Sequence, residues 1–213
     1  MAEILSKTYG DPRLGNKEDP LDELIYIILS AKTAESSFSR TYAALHSRFP
    51  DWFRILRVRR GMIARIIRGG GLSKKKEAQI RGVLRELARG DEMNLRAILD
   101  PMKDVSAERF LTDLPGVGLK TARCVLMYSL RRQVFPVDAH TNRVLSRLGF
   151  ARGRRLTDSE QNLIQSRVPP ELRYSLHVNL VAHGRTVCVA QSPKCIECKV
   201  EALCPSSKMR LAH

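Results

Sequence analysis

The stretch Leu114-Pro115-Gly116-Val117-Gly118-Leu119-Lys120 lies between two segments whose apolar residues recur at helical spacing. Pro115 ends the first helix, because its ring lacks an N–H and clashes with the preceding turn. Gly116 and Gly118 allow positive φ and leave no side chain between the backbone and a ligand. The amides and the dipole at the start of the second helix suit a phosphate oxygen. The stretch therefore predicts a helix-hairpin-helix, although an ordinary helix connection with glycines for packing stays open.

The charge balance favours a polyanionic partner. Lys plus Arg number 37 against 22 acidic residues, a formal net charge of +15 in 213 residues. Between Asp51 and Gly90 there are twelve Lys or Arg and three acids, so the excess is not confined to a tail. Aromatic residues, at 6%, are few for a surface that stacks single-stranded bases. We therefore expect contacts to the backbone of double-stranded DNA.

The apolar content of 43% and charged content of 28% are typical of a soluble globular protein. The longest strongly apolar run, Leu24 to Leu29, is far shorter than the ~20 residues of a membrane span. The first residues lack the pattern of a signal peptide. We expect an intracellular monomer, cytoplasmic or nucleoid-associated if bacterial, without membrane contact.

Helix-start signals divide the chain into helices. Asp19-Pro20 begins a helix that carries the run Leu24 to Leu29 and is buried nearly all round, and residues 1–18 are interpreted as a polar arm. Further helix starts are predicted at Thr33, Ser73, Asn94, Ser106, Asp138 and Pro169. No run of alternating β-branched residues is present, so the sequence predicts an all-α fold.

Lys120 lies in the first turn of the helix after the glycines. One interpretation is a lysine that contacts phosphate. The other is a nucleophile, because the helix dipole and partial burial lower the pKa of the amine. Such an amine can attack C1′ of a deoxyribose and expel the base, and the imine then permits β-elimination of the 3′ phosphate.

Asp138 begins the next predicted helix after Pro136-Val137. It can serve as a simple cap, or its carboxylate can stabilise positive charge that develops on the sugar. A nearby carboxylate would raise the pKa of a lysine, so it would help the transition state more than the resting amine.

Four of the five cysteines follow the pattern Cys188-x6-Cys195-x2-Cys198-x5-Cys204. Structural zinc sites usually join two separated C-x-x-C pairs, and only one is present here. The uneven spacing favours a [4Fe–4S] cluster over zinc or a disulfide pair. The fifth, Cys124, is predicted to be a small buried apolar residue.

Three motifs in order resemble the endonuclease III family of DNA glycosylases. They are L-P-G-V-G-x-K-T-A from Leu114, V-D-x-H from Val137, and H-G-R-x-x-C-x6-C-x2-C-x5-C from His183. The resemblance covers about Leu21 to Cys204. It implies a two-domain helix-hairpin-helix DNA glycosylase fold. A six-helix barrel of residues 21–130 would pack on an iron–sulfur cluster domain of residues 1–20 and 131–213, with the DNA groove between them.

The resemblance also implies roles for residues. Lys120 would be the Schiff-base nucleophile and Asp138 the essential carboxylate. The four cysteines would hold a [4Fe–4S] cluster that shapes a basic DNA-binding loop. The residues that would contact DNA are Lys32, Leu72, Gly116, Val117, Gly118 and Lys194. The reaction would be base-excision repair: removal of an oxidised pyrimidine from duplex DNA, followed by cleavage of the abasic site.

One departure from the family concerns substrate choice. The family usually has glutamine at the position of Lys32, where it fills the hole left by the flipped base. Lysine has only donors and cannot reproduce the paired hydrogen bonds of an amide. Leu72 matches the family's intercalating wedge, with a core leucine as its alternative. Two other functions therefore stay open: a mismatch or modified-base glycosylase with altered specificity, and a non-catalytic lesion-binding protein.

Overall fold

The computed structural model describes residues 1–90, 93–151, 153 and 156–207. In these ranges the chain forms eleven α-helices, several short 3₁₀ helices and no β-strand, which confirms the all-α prediction. The α-helices are α1 (Ala2–Tyr9), α2 (Pro20–Ser30), α3 (Glu35–Arg48), α4 (Met62–Ile66), α5 (Ser73–Leu87), α6 (Leu95–Leu99), α7 (Asp104–Asp113), α8 (Leu119–Leu130), α9 (Ala139–Arg147), α10 (Asp158–Ser166) and α11 (Arg173–Thr186).

The chain divides into two compact units. We call residues 16–132 the hairpin unit, because it contains α7 and α8. Residues 1–15 and 133–213 form the second unit, which we call the cysteine unit. The sequence had predicted boundaries at 20/21 and 130/131.

The apolar helix α2 is the centre of the hairpin unit. The Asp19 carboxylate accepts hydrogen bonds from the amides of Leu21, at 2.9 Å, and Asp22, at 3.0 Å, so the predicted cap is confirmed. Leu24 and Leu29 are fully buried. Helices α3, α5 and α8 pack against α2, which places an apolar surface behind both the hairpin and α5.

Helix α5 is tied to the segment before it by a buried ion pair. Arg81 Nε donates to Glu77 Oε1 at 2.9 Å, and the two side chains are 5% and 8% exposed. The amides of Gly61 and Ala64 also donate to the Glu77 carboxylate. Burial raises the pKa of Glu77, but Arg81 and these amides outweigh it and hold the pKa below its ordinary value.

The arm predicted for residues 1–18 is wrong for its first half. Residues 2–9 form α1, which packs on α11, and Gly10 ends it in the left-handed conformation at φ 65°. Leu5 is buried, and the Asn179 amide nitrogen donates to Asp11 Oδ1 at 2.6 Å. A helix of 8 residues is too short for its apolar spacing to be decisive in the sequence.

Several helix starts differ from the prediction. Helix α3 follows Ala34 rather than a capping Thr33, and Leu72 rather than Ser73 precedes α5. Helix α7 begins at Asp104, two residues before Ser106. Helix α10 was not predicted, although Thr157 and Glu160 form a capping box at its start. The starts at Asp19, Asn94 and Asp138 are confirmed by side-chain caps.

In the described residues, no helix has both the length and the apolar character that crossing a membrane requires.

We expect Glu77→Ala to lower the free energy of unfolding by about 3–5 kcal/mol, because it leaves Arg81 buried without its carboxylate. Glu86→Ala is the matched control on the same helix, since the Glu86–Arg89 pair is exposed and should contribute less than about 1 kcal/mol. Urea unfolding measures both variants. Equal losses would contradict the assignment of the buried pair as the anchor of α5.

Candidate functional site

The hairpin turn uses the positive φ that glycine allows at Gly116 but not at Gly118. Gly116 has φ +72°, in the left-handed region, whereas Gly118 has φ −101° and ψ 171°, which any residue adopts. The Val117 amide donates to Leu114 O at 3.1 Å, and the Val117 side chain is buried. Val117 is therefore a turn-forming residue, and its amide is occupied. Gly118 provides no side-chain cap for α8, so the first-turn amides keep the anion-binding character that the sequence predicted.

Helix α5 fixes the turn from behind. The Gln79 amide nitrogen donates to Gly116 O at 2.8 Å. A Cβ at Gly116 would lie 3.0 Å from that nitrogen, and a Cβ at Gly82 would lie 3.1 Å from Pro115 Cβ. A side chain at Gly82 would therefore displace Pro115 by a few tenths of an ångström, and at Gly116 the left-handed φ favours glycine as well. The turn is consequently packed closely against α5.

Lys120 is the second residue of α8 and is partly buried. On α2, which packs against α8, the carboxyl of Glu23 is fully buried. Burial raises the pKa of Glu23 to about 7. Hydrogen bonds from Lys17 and Asn16 and the positive charge of Lys120 lower this pKa, but by less than burial raises it. The Lys17 amide and the Asn16 side chain donate to it at 2.7 and 2.5 Å. A carboxyl that titrates near neutrality therefore lies within electrostatic range of the predicted nucleophile.

Asp138 caps α9 in the cysteine unit. Its Oδ1 accepts a hydrogen bond from the Thr141 amide at 2.7 Å, and the carboxylate is partly buried. The capping interpretation is therefore confirmed, which does not exclude a second role for the same carboxylate. Burial lowers the pKa of nearby His140, and the negative charge of Asp138 opposes that change.

The two remaining predicted DNA contacts of the hairpin unit lie on strained loops. Lys32, between α2 and α3, is exposed with φ 52°, and Leu72, just before α5, has φ 49°. Leu72 is 51% exposed, so it is not the core leucine that the sequence left open. The left-handed region costs roughly 1–2 kcal/mol for a residue with a Cβ. Both side chains are therefore held in a conformation that packing alone does not explain.

The four C-terminal cysteines line one small cavity of the cysteine unit, with a volume of about 30 Å³. None of them forms a disulfide bond in this structure, and Cys124 is buried as predicted. Cys195 and Cys204 adjoin short 3₁₀ helices at Cys195–Glu197 and Glu201–Leu203. In the part of the chain that is described, no three His, Cys, Asp or Glu side chains converge closely enough for a single metal ion.

Two arginines of α9 donate hydrogen bonds to backbone carbonyl groups beside the cavity. Arg143 Nε donates to Cys188 O at 2.9 Å, and Arg147 Nη1 donates to Val189 O at 2.7 Å. Arg147 Nη1 also lies 3.2 Å from Cys188 Sγ. Positive charge therefore faces the first cysteine, which suits a thiolate.

His183 of the H-G-R motif is buried beside the cavity. Its Nε2 is 3.6 Å from Cys198 Sγ, and its Nδ1 is 2.8 Å from the hydroxyl of Tyr9. Burial lowers the pKa of His183 and raises the pKa of the Cys198 thiol. Next to it, a Cβ at Gly184 would lie 2.9 Å from His140 Cβ, which explains the glycine of the motif by close packing of α9 and α11.

Lys194 also lines the cavity, and its side chain is exposed, with Nζ 3.8 Å from Glu197 Oε2. Ile196, between Cys195 and Cys198, is 93% exposed. The loop thus presents a cation and an apolar side chain outward, while its cysteines face inward.

Sequence reasoning missed the buried charges around the site. Glu23 looked like an ordinary acid in the first turn of a helix, and Lys76 looked like one of three surface lysines. Glu23 could have been recognised because it directly precedes the apolar run Leu24 to Leu29 on a helix predicted to be buried on all sides. No sequence signal separates Lys76 from Lys74 and Lys75 except the helical spacing to Ile80.

Comparison with known proteins identifies the family of this chain. Residues 25–170 match the HhH-GPD superfamily of base excision DNA repair proteins. A protein of Arabidopsis thaliana that is named as a DNA glycosylase is 33% identical over 198 residues, 91% of this chain, and the chain spans 63% of that protein's length. Endonuclease III of a Synechocystis strain is 30% identical over 208 residues, 96% of this chain and 90% of its own.

A solved structure supports the same relationship in three dimensions. It is a trapped covalent intermediate between endonuclease III and DNA, with an estranged adenine, and it superposes with a TM-score of 0.83 at 25% identity. The superposition covers 99% of this chain and 95% of the other. The likeness therefore includes both units.

Glu23→Gln should change how stability depends on pH. The folded-state pKa of about 7 lies above the ordinary value of 4.5, so the folded protein binds the proton more tightly between these pH values. Stability contributed by this group is present at pH 5 and is lost as pH rises to 8, by on the order of 3 kcal/mol. Glutamine does not ionise, so the variant should lack this loss in urea unfolding between pH 5 and 8.

Glu18→Gln is the control for this measurement, because Glu18 is an exposed acid close in sequence. It should keep the wild-type slope. If the slopes of wild type and Glu23→Gln coincide, Glu23 does not titrate near neutrality.

Proposed function

The chain belongs to the HhH-GPD superfamily of base excision DNA repair proteins, and from this membership we propose that it is a bifunctional DNA glycosylase/AP lyase of the endonuclease III type. Its substrate would be duplex DNA that carries an oxidised pyrimidine or an abasic site, flipped out of the helix for the reaction. The single observation that carries the proposal is the amine of Lys120 in the first turn of α8, directly after the Gly116 turn. Because its substrate is DNA, the enzyme would act in the compartment that contains the cell's DNA.

The chemistry follows from a neutral amine. The Lys120 nitrogen attacks C1′, the bond from C1′ to the base breaks, and the base leaves with the electron pair and takes up a proton. The bond from C1′ to O4′ then breaks as a proton moves from the nitrogen to O4′, which opens the sugar ring and leaves a protonated imine between C1′ and Lys120. This imine acidifies C2′, and loss of a C2′ proton expels the 3′ phosphate. Water then releases the sugar fragment and restores the amine. The positive end of the α8 dipole favours the neutral amine that the first step needs.

Asp138 would stabilise the positive charge that develops on the sugar as the base leaves. Its Oδ1 is oriented by the Thr141 amide, so the carboxylate does not have to reorganise during the reaction. An electrostatic group that is fixed in advance acts more strongly than a mobile one.

The duplex would be held mainly through its backbone. The amides at Gly116 and Gly118 and the first turn of α8 suit one phosphate, and Lys194 would add a contact from the cysteine unit. Lys32 and Leu72 are exposed on neighbouring loops and would enter the duplex where the base has left. Val117 would support this surface from within the turn.

The cysteines fit a [4Fe–4S] cluster better than a zinc ion. In a cluster each thiolate binds a different iron, so the ligands surround a cavity, whereas zinc needs four ligands that converge on one point. Cys188, Cys195, Cys198 and Cys204 line a common cavity and face Arg147 and His183. When bound, the cluster would cross-link the loop that carries Lys194. It would not act as a redox group in base excision.

A second candidate function is a glycosylase for a mismatched or modified base. Lys32 favours it. Its backbone has φ 52°, and its side chain offers an unpaired base hydrogen-bond donors but no acceptor. Duplexes with thymine glycol, uracil, a G·T mismatch or an abasic site distinguish the two candidates by which base is released.

Lys120→Ala should abolish the covalent DNA adduct that borohydride forms with wild type on an abasic duplex, because the nitrogen that forms the imine is gone. Lys103→Ala is the control, since Lys103 lies before α7 in the same unit and should leave trapping unchanged. Denaturing gel electrophoresis measures the adduct. A Lys120→Ala protein that still forms it would show that another amine is the nucleophile.

Protein purified without air should contain about four iron atoms per chain and negligible zinc by elemental mass spectrometry. Cys195→Ser should lose most of this iron. Cys124→Ser should retain it, because Cys124 is buried on α8 in the hairpin unit. One zinc atom per chain instead would overturn the cluster assignment.

A further inference from the structure

The side chain of Lys76 on α5 is buried, in contrast to its neighbours Lys74 and Lys75. The residue is 2% exposed, and burial lowers the pKa of its ammonium. Its Nζ donates to Leu29 O at 2.6 Å, Thr33 Oγ1 at 2.6 Å and Gly70 O at 2.7 Å. All three acceptors are uncharged oxygens, and together they use the three donors of the ammonium. A lysine placed in this way presents no amine to a ligand at the surface.

These acceptors lie on two separate segments. Leu29 is in the last turn of α2, Thr33 is in the loop that follows it, and Gly70 ends the short 3₁₀ helix before α5. The Thr33 hydroxyl also bridges the loops directly, because it donates to Gly70 O at 2.5 Å. Lys76 and Thr33 therefore join the loops through one hydrogen-bonded network, which we call the lysine clamp.

The lysine clamp surrounds both strained residues of these loops. Leu29 and Thr33 lie on either side of Lys32, whose φ is 52°. On the other loop the side chain of Lys76 holds Gly70 O, two residues before Leu72, whose φ is 49°. Left-handed residues with a Cβ persist only where the surroundings over-determine them. The clamp supplies that constraint to both at once.

We propose that Lys76 is a positioning residue that presents Lys32 and Leu72 as one preformed element for detecting a gap in the base stack. The proposal rests on the proposed function, because it assumes that these side chains enter damaged duplex DNA. Preformed side chains avoid the ordering cost that each mobile side chain adds on binding. The lysine clamp thus determines selectivity for a gapped duplex over an intact one, and it leaves the electrostatic attraction to either unchanged.

Lys76→Met tests this separation, because methionine has a similar length but no charge and no donors. We expect affinity for a duplex with a tetrahydrofuran abasic analogue to fall roughly tenfold, as two side chains lose their order. Affinity for the intact duplex should stay the same. Its dependence on salt should also stay the same, because a buried ammonium releases no counterions from DNA. Fluorescence anisotropy between about 50 and 200 mM salt measures both quantities.

Lys75→Met is the matched control, one residue away and exposed. Any loss of affinity in this variant should fall equally on both duplexes, and the salt slope should become shallower by at most about 0.9. Thr33→Val removes the other member of the lysine clamp without burying or exposing a charge. It should reproduce the selective loss of Lys76→Met, and it serves alone if Lys76→Met does not fold.

The proposal is overturned if Lys76→Met or Thr33→Val loses affinity equally for both duplexes, so that selectivity stays at the wild-type level. It is also overturned if the salt slope changes in either variant. A wild type without any preference for the abasic analogue would also overturn it. These are binding measurements, so a wild type that binds selectively but forms no borohydride adduct would reject the catalytic proposal and leave the lysine clamp standing.

Discussion

The contact between α5 and the hairpin turn is the constraint on which the hairpin unit depends. Gly82 and Gly116 permit an approach in which an added Cβ would meet Pro115 or Gln79 at 3.1 or 3.0 Å. Gln79 then satisfies the carbonyl of Gly116. Because α5 also carries Lys76 and the Glu77–Arg81 pair, one helix fixes the turn, the two strained loops and the segment that precedes it. The part of the proposed DNA surface that the hairpin unit contributes is therefore supported by a single helix.

Much of this unit could be predicted from local sequence rules. Capping by Asp19, the helix end at Pro115 and the positive φ of Gly116 each follow from the chemistry of one or two residues. The apolar run of α2 was enough to predict its burial. The sequence could not decide which of the two glycines adopts positive φ, because a glycine permits this conformation without requiring it and neighbouring contacts decide which conformation forms.

The buried charges could not be predicted because their partners are distant in sequence. Lys76 finds acceptors at Leu29 and Thr33, and Arg81 donates to Ile55 O, so only the folded chain brings donor and acceptor together. In the sequence both residues belong to a helix that looks like a basic, solvated face. The cysteine spacing predicted a common site, but the arginines that orient the first cysteine could not be recognised among many others.

The cysteine unit is assembled from both ends of the chain, residues 1–15 and 133–213. Helix α1 is synthesised before residues 16–132, whereas its packing partner α11 follows them, and Tyr9 meets His183 across 174 positions. Residues 16–132 are continuous and can fold while translation proceeds, since domains generally fold as units from the N-terminal side. The apolar face of α1, with Leu5, must therefore wait without its partner until α11 has been synthesised. Formation of the cysteine unit is in this way delayed until the hairpin unit has been translated.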